Sequence, residues 1–262
     1  MNEIAVENLY WKPDSAPHPI TNRISTHFPK GSFVGILGPN GSGKTSFARQ
    51  LLRLIKSDGG RISYDQSDID KLSRKQIAKS ISFLPQNTQV DAEFTVYDIV
   101  AMGRTPHKSK FEPLSDADKQ RIEEAMEYAN CVHLKDRIIT SLSGGERQRV
   151  LIARTIAQET DFILLDEPIA SLDIKHQVEL MSTFAKLQTE RGVTVIAILH
   201  DLNMAATYCT DIILMRQGEI YRQGKKGEVL QPDILQAVYG IPFELVEKAG
   251  RSYPFIVPVM MG

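Results

Sequence analysis

Apolar and polar positions change their spacing along this chain, and the changes mark out its elements. Residues 1–84 alternate short β-like runs with turns, and Ile4 to Leu9 and Ile24 to Phe28 predict two antiparallel strands. Phe33 to Leu37 is a short apolar run that reads as a strand, and Ile81 to Leu84 is another. Phe162-Ile163-Leu164-Leu165 is unbroken in its apolarity, the pattern of a parallel strand covered on both faces, and Val193 to Leu199 reads as a second buried strand. Ile212 to Arg216 and Glu219 to Arg222 predict a hairpin around Gln217-Gly218.

From 86 to 158 the spacing becomes helical. Thr95 to Met102 predicts a short helix. Ser115 opens a longer one, with Asp118 three residues on as a capping-box acid and Ile122, Ala125, Met126 and Ala129 on its apolar face. Thr105 to Pro113, polar and with two prolines, predicts a loop between them. Further helices are expected over Thr45 to Leu54, over Ile174 to Arg191 with Asp173 as its cap, and over 232–240. The pattern shows no internal repeat and gives no assignment to the tail from Gly240 to Gly262. The organisation read here is an α/β core carrying a helical insert.

Length and composition narrow the picture. The 262 residues allow one large or two small domains, and 42% apolar with 24% charged residues is ordinary for a soluble globular chain. A net charge of −1 without any block of like charges argues against nucleic acid as the main partner. No apolar run is long enough to span a bilayer, and Met1-Asn2-Glu3-Ile4 lacks the features of a signal peptide. Any role at a membrane is therefore expected to run through a partner. Cys131 and Cys209, far apart and without a C-x-x-C spacing, are expected to be two reduced thiols.

The candidate chemistry begins at Gly38-Pro39-Asn40-Gly41-Ser42-Gly43-Lys44-Thr45, which fits G-x-x-x-x-G-K-[ST] between a strand and a helix. Gly38, Gly41 and Gly43 can adopt backbone angles closed to other residues. Pro39, Asn40 and Ser42 complete the loop, and Ser46 follows it. Successive backbone N–H groups and the helix start can then converge on phosphate. Lys44 supplies a charge for the β- and γ-phosphates and Thr45 a hydroxyl for Mg²⁺. Asp166 ends an apolar strand and is the second candidate for Mg²⁺; Glu167, next to it, is placed to act on the attacking water. His200 follows another strand end, where it is either structural or a donor to the γ-phosphate. Gln86 is either a group reaching Mg²⁺ and water or a surface glutamine. Ser143-Gly144-Gly145 opens a helix and reads as a second anion site or a simple cap. One nucleotide cannot easily use both anion sites within a chain, and a head-to-tail homodimer resolves this.

These residues resemble the ABC ATPase family over essentially the whole chain, with five motifs in the family's order. They are the P-loop Gly38 to Thr45, the Q-loop Gln86, the signature Leu142-Ser143-Gly144-Gly145-Glu146, the pair Asp166-Glu167 with a D-loop at Ser171-Leu172-Asp173, and the switch His200. The resemblance implies an α/β P-loop NTPase with a RecA-like core, an antiparallel β-subdomain and an inserted helical subdomain. Core and β-subdomain are expected over 1–85 and 159–230, the helical subdomain over 86–158, and a C-terminal helix and tail over 231–262. It also implies a sandwich dimer closing on two ATP with Mg²⁺, and an aromatic against adenine, Trp11 or else Tyr10. Ile169 stands where the family often has threonine, and Glu146 where a subgroup often has glutamine.

Four segments look like the importers of iron siderophores, haem and vitamin B12. They are Gly103-Arg104-Thr105-Pro106-His107, Ala157-Gln158-Glu159-Thr160, Leu172-Asp173-Ile174-Lys175-His176-Gln177 and Leu199-His200-Asp201-Leu202-Asn203. The resemblance implies an ATP-hydrolysing subunit at the cytoplasmic face of the membrane. It would work with integral-membrane permease subunits and, indirectly, with an extracellular or periplasmic substrate-binding protein. A ferric siderophore is the expected cargo, with haem, cobalamin or another metal complex as the alternative. A repair-type ABC ATPase would need a longer insert between Gln86 and Ser143, and a binding module without turnover would lack Glu167 or His200.

Overall fold

The computed structural model describes residues 3–86, 93–170, 172–250 and 253–259. In chain order the elements begin β1 (Ile4–Trp11), β2 (Thr21–Phe28), β3 (Phe33–Leu37), α1 (Lys44–Leu51), β4 (Gly59–Tyr64), β5 (Ser67–Asp68), α2 (Arg74–Ser80) and β6 (Ile81–Leu84). They continue with α3 (Val96–Ala101), α4 (Asp116–Tyr128), α5 (Gly144–Ala157), β7 (Phe162–Asp166), α6 (Ile174–Arg191), β8 (Thr194–Ile198) and α7 (Leu202–Tyr208). Last come β9 (Asp211–Arg216), β10 (Glu219–Lys225), α8 (Lys226–Val229), α9 (Pro232–Tyr239), β11 (Phe243–Val246) and β12 (Phe255–Pro258). They form two compact units, Met1–Leu72 with Thr194–Gly262, and Ser73–Val193.

The first unit holds an antiparallel sheet in the order β2-β1-β4-β5. Ile4 and Val6 of β1 face the core, but the register slips after Val6, where Asn8 has φ 46°, and the next buried position is Leu9. That bulge shifts the parity of the strand. Its second set of strands runs β10-β9-β3-β8. Here β3 lies parallel to β8, with Phe33 opposite Val195, and to β9, with Val34 opposite Asp211. Every residue of β3 and β8 is buried, as strands covered on both faces must be. Phe28 stacks on Phe47 with ring centroids 6.4 Å apart, which fixes α1 against β2. Gly35 admits the Cys209 thiol, which would lie 2.9 Å from a β-carbon there. The tail forms the hairpin β11–β12. It is stitched to α7 by Asn203, whose side-chain amide donates to Ile256 O (3.1 Å) and accepts from Ile256 N (2.9 Å).

In the second unit β6 and β7 pair in parallel, with Ile81 opposite Phe162 and Leu84 opposite Leu165. Helices α2, α3, α4 and α5 each start with a capping box, formed by Ser73 with Gln76, Thr95 with Asp98, Ser115 with Asp118 and Ser143 with Glu146. The expected loop from Thr105 to Pro113 differs from this structure in its first part. Met102–His107 is 3-10 helical, and Arg104 is buried. The cause is a polar buckle that draws the chain inward. Arg104 Nε donates to Asp118 Oδ1 (3.0 Å), and its Nη1 donates to Ala157 O (2.8 Å) and Glu159 Oε2 (3.1 Å). His107 Nε2 meets Gln158 O at 2.7 Å, and Gln158 Nε2 donates to Ala78 O (2.6 Å) and Ile81 O (3.2 Å). Two of the four segments singled out in the sequence therefore meet in one network. Cys131 and Cys209 are free and buried, and burial pushes the Cys131 thiol up to about 12.

The Ser115 hydroxyl, then Lys108 and Arg104, hold the Asp118 carboxyl far below the usual carboxylate range, against the opposing effect of burial. A depressed folded value stabilises the fold above the unfolded value of about 3.9, and that stability drains away as pH falls toward the folded value. Replacing Arg104 by alanine leaves a buried carboxylate short of its partner and should lower the unfolding free energy at pH 7 by about 3 kcal/mol. Urea denaturation measures this; an unchanged midpoint would show that the buckle contributes nothing to stability.

Candidate functional site

The loop between β3 and α1 is shaped by its neighbours' backbones. Gly38, Gly41 and Gly43 have φ of 144°, 78° and 97°. A β-carbon on Gly38 would run into the carbonyl of Met215, and one on Gly43 into that of Ile20, while one on Gly41 would meet nothing. Gly38 and Gly43 thus answer both to backbone angle and to space, and Gly41 to angle alone. Gly218 N donates to Ser42 O (3.1 Å) and Asn22 N to Gly218 O (2.8 Å), which ties the loop to the β9–β10 turn and to β2. Gly43 is the N-cap of α1 and offers no side chain to its first amides. Lys44 is buried, and its Nζ donates to Gly38 O (2.8 Å) and Pro39 O (3.0 Å). The Ser42 hydroxyl is buried and has no hydrogen-bond partner among the described residues. Thr45 and Ser46 are half-buried on the first turn, and Pro39 and Asn40 form the outer bend.

Trp11 joins this arrangement through one residue. Ile20 N donates to Trp11 O (2.9 Å), and the Ile20 carbonyl is the one that faces Gly43. Both Trp11 and Tyr10 are half-buried. His200 is exposed between β8 and α7, next to Asp201, which caps α7 by accepting from Asn203 N (2.7 Å) and Met204 N (3.0 Å). Tyr239, which sequence reasoning passed over, buries its phenol near Gly38, and the hydroxyl meets no hydrogen-bond partner among the described residues. Burial pushes that phenol up to about 12, with the Gly38 contact acting the other way. Only the fold makes this neighbour visible, because nothing local to α9 marks it.

In the second unit Asp166 closes β7 and is 5% exposed. Glu167 follows at φ 48°, a left-handed conformation uncommon for a side-chain-bearing residue. Gln86 Nε2 donates to Glu167 Oε2 at 2.7 Å, so these two predicted site residues meet. Ile169 is buried, which accounts for an apolar residue at its place.

Ser143 begins α5 and is exposed; its hydroxyl donates to Glu146 Oε2 (2.7 Å), and its backbone N donates to the same oxygen (2.9 Å). Those contacts, the hydroxyl first, draw the Glu146 carboxyl below its usual range. Glu146 is thereby the capping-box acid of this segment. A β-carbon on Gly144 would meet nothing within 4 Å, whereas one on Gly145 would meet the His176 ring. Of the expected D-loop, Ser171 lies outside the described residues, and Asp173 caps α6 by accepting from His176 N.

The sequence profile of the ABC transporter family matches residues 21–170, more than half of the chain. The chain belongs to the ABC transporter family. It is 36% identical to the ferric enterobactin transport ATP-binding protein FepC of Escherichia coli (strain K12), over 92% of this chain and 89% of that one. It is 38% identical to the iron(3+)-hydroxamate import ATP-binding protein FhuC of Bacillus subtilis (strain 168), over 90% and 87% of the two chains. A solved chain from an inward-facing metal-chelate type ABC transporter superposes with a TM-score of 0.86 at 29% identity, covering 99% of this chain and 98% of that one. The fold is therefore that of an ATP-binding cassette, an α/β P-loop NTPase.

Within this ABC cassette the loop glycines differ in what they tolerate. Gly38→Ala combines a disfavoured φ with a collision against backbone, so it should abolish nucleotide binding and lower the melting temperature. Gly41→Ala carries only the conformational penalty, about 1 kcal/mol, and should fold with weakened binding. Thermal melts with a fluorescent ATP analogue measure both, and equal effects from the two variants would contradict this ranking.

Proposed function

We propose that this chain is the ATP-hydrolysing subunit of an importer for a ferric siderophore or a related iron chelate. The observation that carries the reading is its similarity, along nearly the whole chain, to ATP-binding proteins for ferric enterobactin and iron-hydroxamate. Haem, vitamin B12 or another metal complex is the alternative cargo, since the same segments suit that wider group.

The residues present fit a bound nucleotide. The uncapped start of α1, the buried Lys44 ammonium and the unpartnered Ser42 hydroxyl together suit an anionic phosphate chain. Gly38 to Ser46 would bind ATP, with Trp11 or Tyr10 against adenine. Thr45, Asp166 and Gln86 are the groups that would hold Mg²⁺. When bound, that ion supplies positive charge to the β- and γ-phosphate oxygens. Lys44 steadies the same oxygens, and His200 donates to the γ-phosphate. Glu167 accepts the proton of the attacking water, and Gln86 orients the carboxylate through their hydrogen bond.

Ser143, Gly144 and Gly145 would serve the nucleotide of a second copy in a head-to-tail dimer. Gly144 supports this reading, because among the described residues no atom lies within 4 Å of where its β-carbon would be. The region 86–158 is the proposed helical subdomain, and Gln86 would report to a membrane permease. Among the described residues no helix is long and apolar enough to cross a membrane. In this reading the chain would act as a peripheral subunit at the cytoplasmic face, attached through its permease and served indirectly by a substrate-binding protein.

Glu167→Gln should bind ATP, lose turnover by about 10²- to 10⁴-fold and accumulate as a closed dimer. Light scattering with and without ATP reads the dimer, and normal turnover would remove Glu167 from its role. Growth of a deletion strain on single ferric siderophores, haem or cobalamin tests the cargo. Growth on one iron chelate that is restored by the wild-type chain and not by Glu167→Gln is the expected result; undiminished growth on every chelate would overturn the assignment.

A further inference from the structure

We propose that His176 is a positioning residue for the signature segment: its ring is the wall that sets where Gly145 sits. This rests on the nucleotide-dimer reading above for its consequence in turnover, but not for its structural core.

The ring is held at its near edge. Its Nδ1 lies 2.8 Å from Asp173 Oδ1, and its backbone N donates to the same oxygen at 2.9 Å. A carboxylate only accepts, so Nδ1 carries the hydrogen. The His176 backbone N–H, then its ring, hold the Asp173 carboxyl below the usual range, which keeps it an acceptor. The segment beneath is held as well, because Gln177 Nε2 donates to Ile169 O (3.1 Å) and Leu172 O (2.9 Å).

The far edge of the ring meets α5. A β-carbon on Gly145 would lie 2.8 Å from Nε2, 3.1 Å from Cδ2 and 3.2 Å from Cε1. The first is a collision and the other two are tight, so a β-carbon at 145 would have to push the ring aside, whereas φ at 145 makes no demand for glycine. A cavity of about 220 Å³ opens beside this contact, with Gly145, Gln148, Arg149, Leu172, His176 and Thr183 in its wall. On that side close packing does not hold the ring, so the Asp173 bond must. Removing the ring would enlarge the void behind the start of α5 and leave Gly145 unsupported. The stretch after Glu167 and the helix start meant for a second copy's nucleotide are thus joined through one imidazole.

The joint separates into two halves by substitution. His176→Asn keeps a short donor for Asp173 and removes the far edge; His176→Gln carries an amide out to the position of Nε2. The first measurement is hydrogen exchange at the Glu146 and Arg147 amides, which needs no ATPase activity. His176→Ala and His176→Asn should speed exchange there by about tenfold, the scale of coupling between contacting residues, and His176→Gln should not. The second is steady-state ATPase activity. Gly145→Ala should lower kcat because the new methyl drives the ring off Asp173, and adding His176→Asn should recover a large part of it. The change should fall mainly on kcat and less on the KM for ATP, because Gly145 reaches the second copy's nucleotide only in the dimer while the loop between β3 and α1 holds it within each chain. Unchanged exchange in His176→Ala, or strictly additive effects of the two substitutions, would overturn the proposal. A wild-type chain without ATPase activity would instead remove the functional reading and leave the exchange result to decide the role of His176.

Discussion

The carbonyls of Met215 and Ile20 press so closely on the loop after β3 that no β-carbon fits at Gly38 or Gly43. That pressure organises the first unit. Met215 belongs to β9, which runs parallel to β3, and Ile20 immediately precedes β2 of the antiparallel sheet. Backbone hydrogen bonds then close the set, from Gly218 to Ser42 and from Asn22 to Gly218. The cradle is therefore built from main chain against main chain. Of its own side chains, Lys44 adds to this by bonding the Gly38 and Pro39 carbonyls, and the result suits a site that must present amides in a fixed array.

A comparable logic runs through the second unit with side chains in place of backbone. Gln158 grips the carbonyls of Ala78 and Ile81, and Arg104 grips that of Ala157. These contacts lie at the start of β6 and just before β7, parallel strands of four and five residues. Their far ends lead to Gln86 and to Asp166 with Glu167. Elements this short leave little slack, so fixing their beginnings goes far towards fixing their ends.

Much of this was legible in the sequence. The runs at Phe33 to Leu37 and Phe162 to Leu165 announced buried strands because burial on both faces leaves no polar position to confuse the pattern. The phosphate loop was legible because its glycines are dictated locally by angle. The short strands β4 and β5 escaped, because each holds its place through partners distant in sequence. So did α2 and α7, short helices whose signal is mostly their cap. The hairpin β11–β12 was left unassigned since its anchor, Asn203, sits in another element. Among the site residues, the pairing of Gln86 with Glu167 and the neighbourhood of Tyr239 needed the fold. His176 stood inside a noticed segment, but its task depends on a glycine in a different helix, which spacing along the chain does not encode.

Asn203 has a consequence of a chemical kind. Its amide stands in for a length of neighbouring strand, one end giving a hydrogen to Ile256 and the other receiving one. Deamidation, the slow hydrolysis that ages asparagine into aspartate, would place a second acceptor against the Ile256 carbonyl. One bond of the pair would become a repulsion while the other survived. The attachment of the tail is thus tied to the chemical age of a single side chain, three residues after His200.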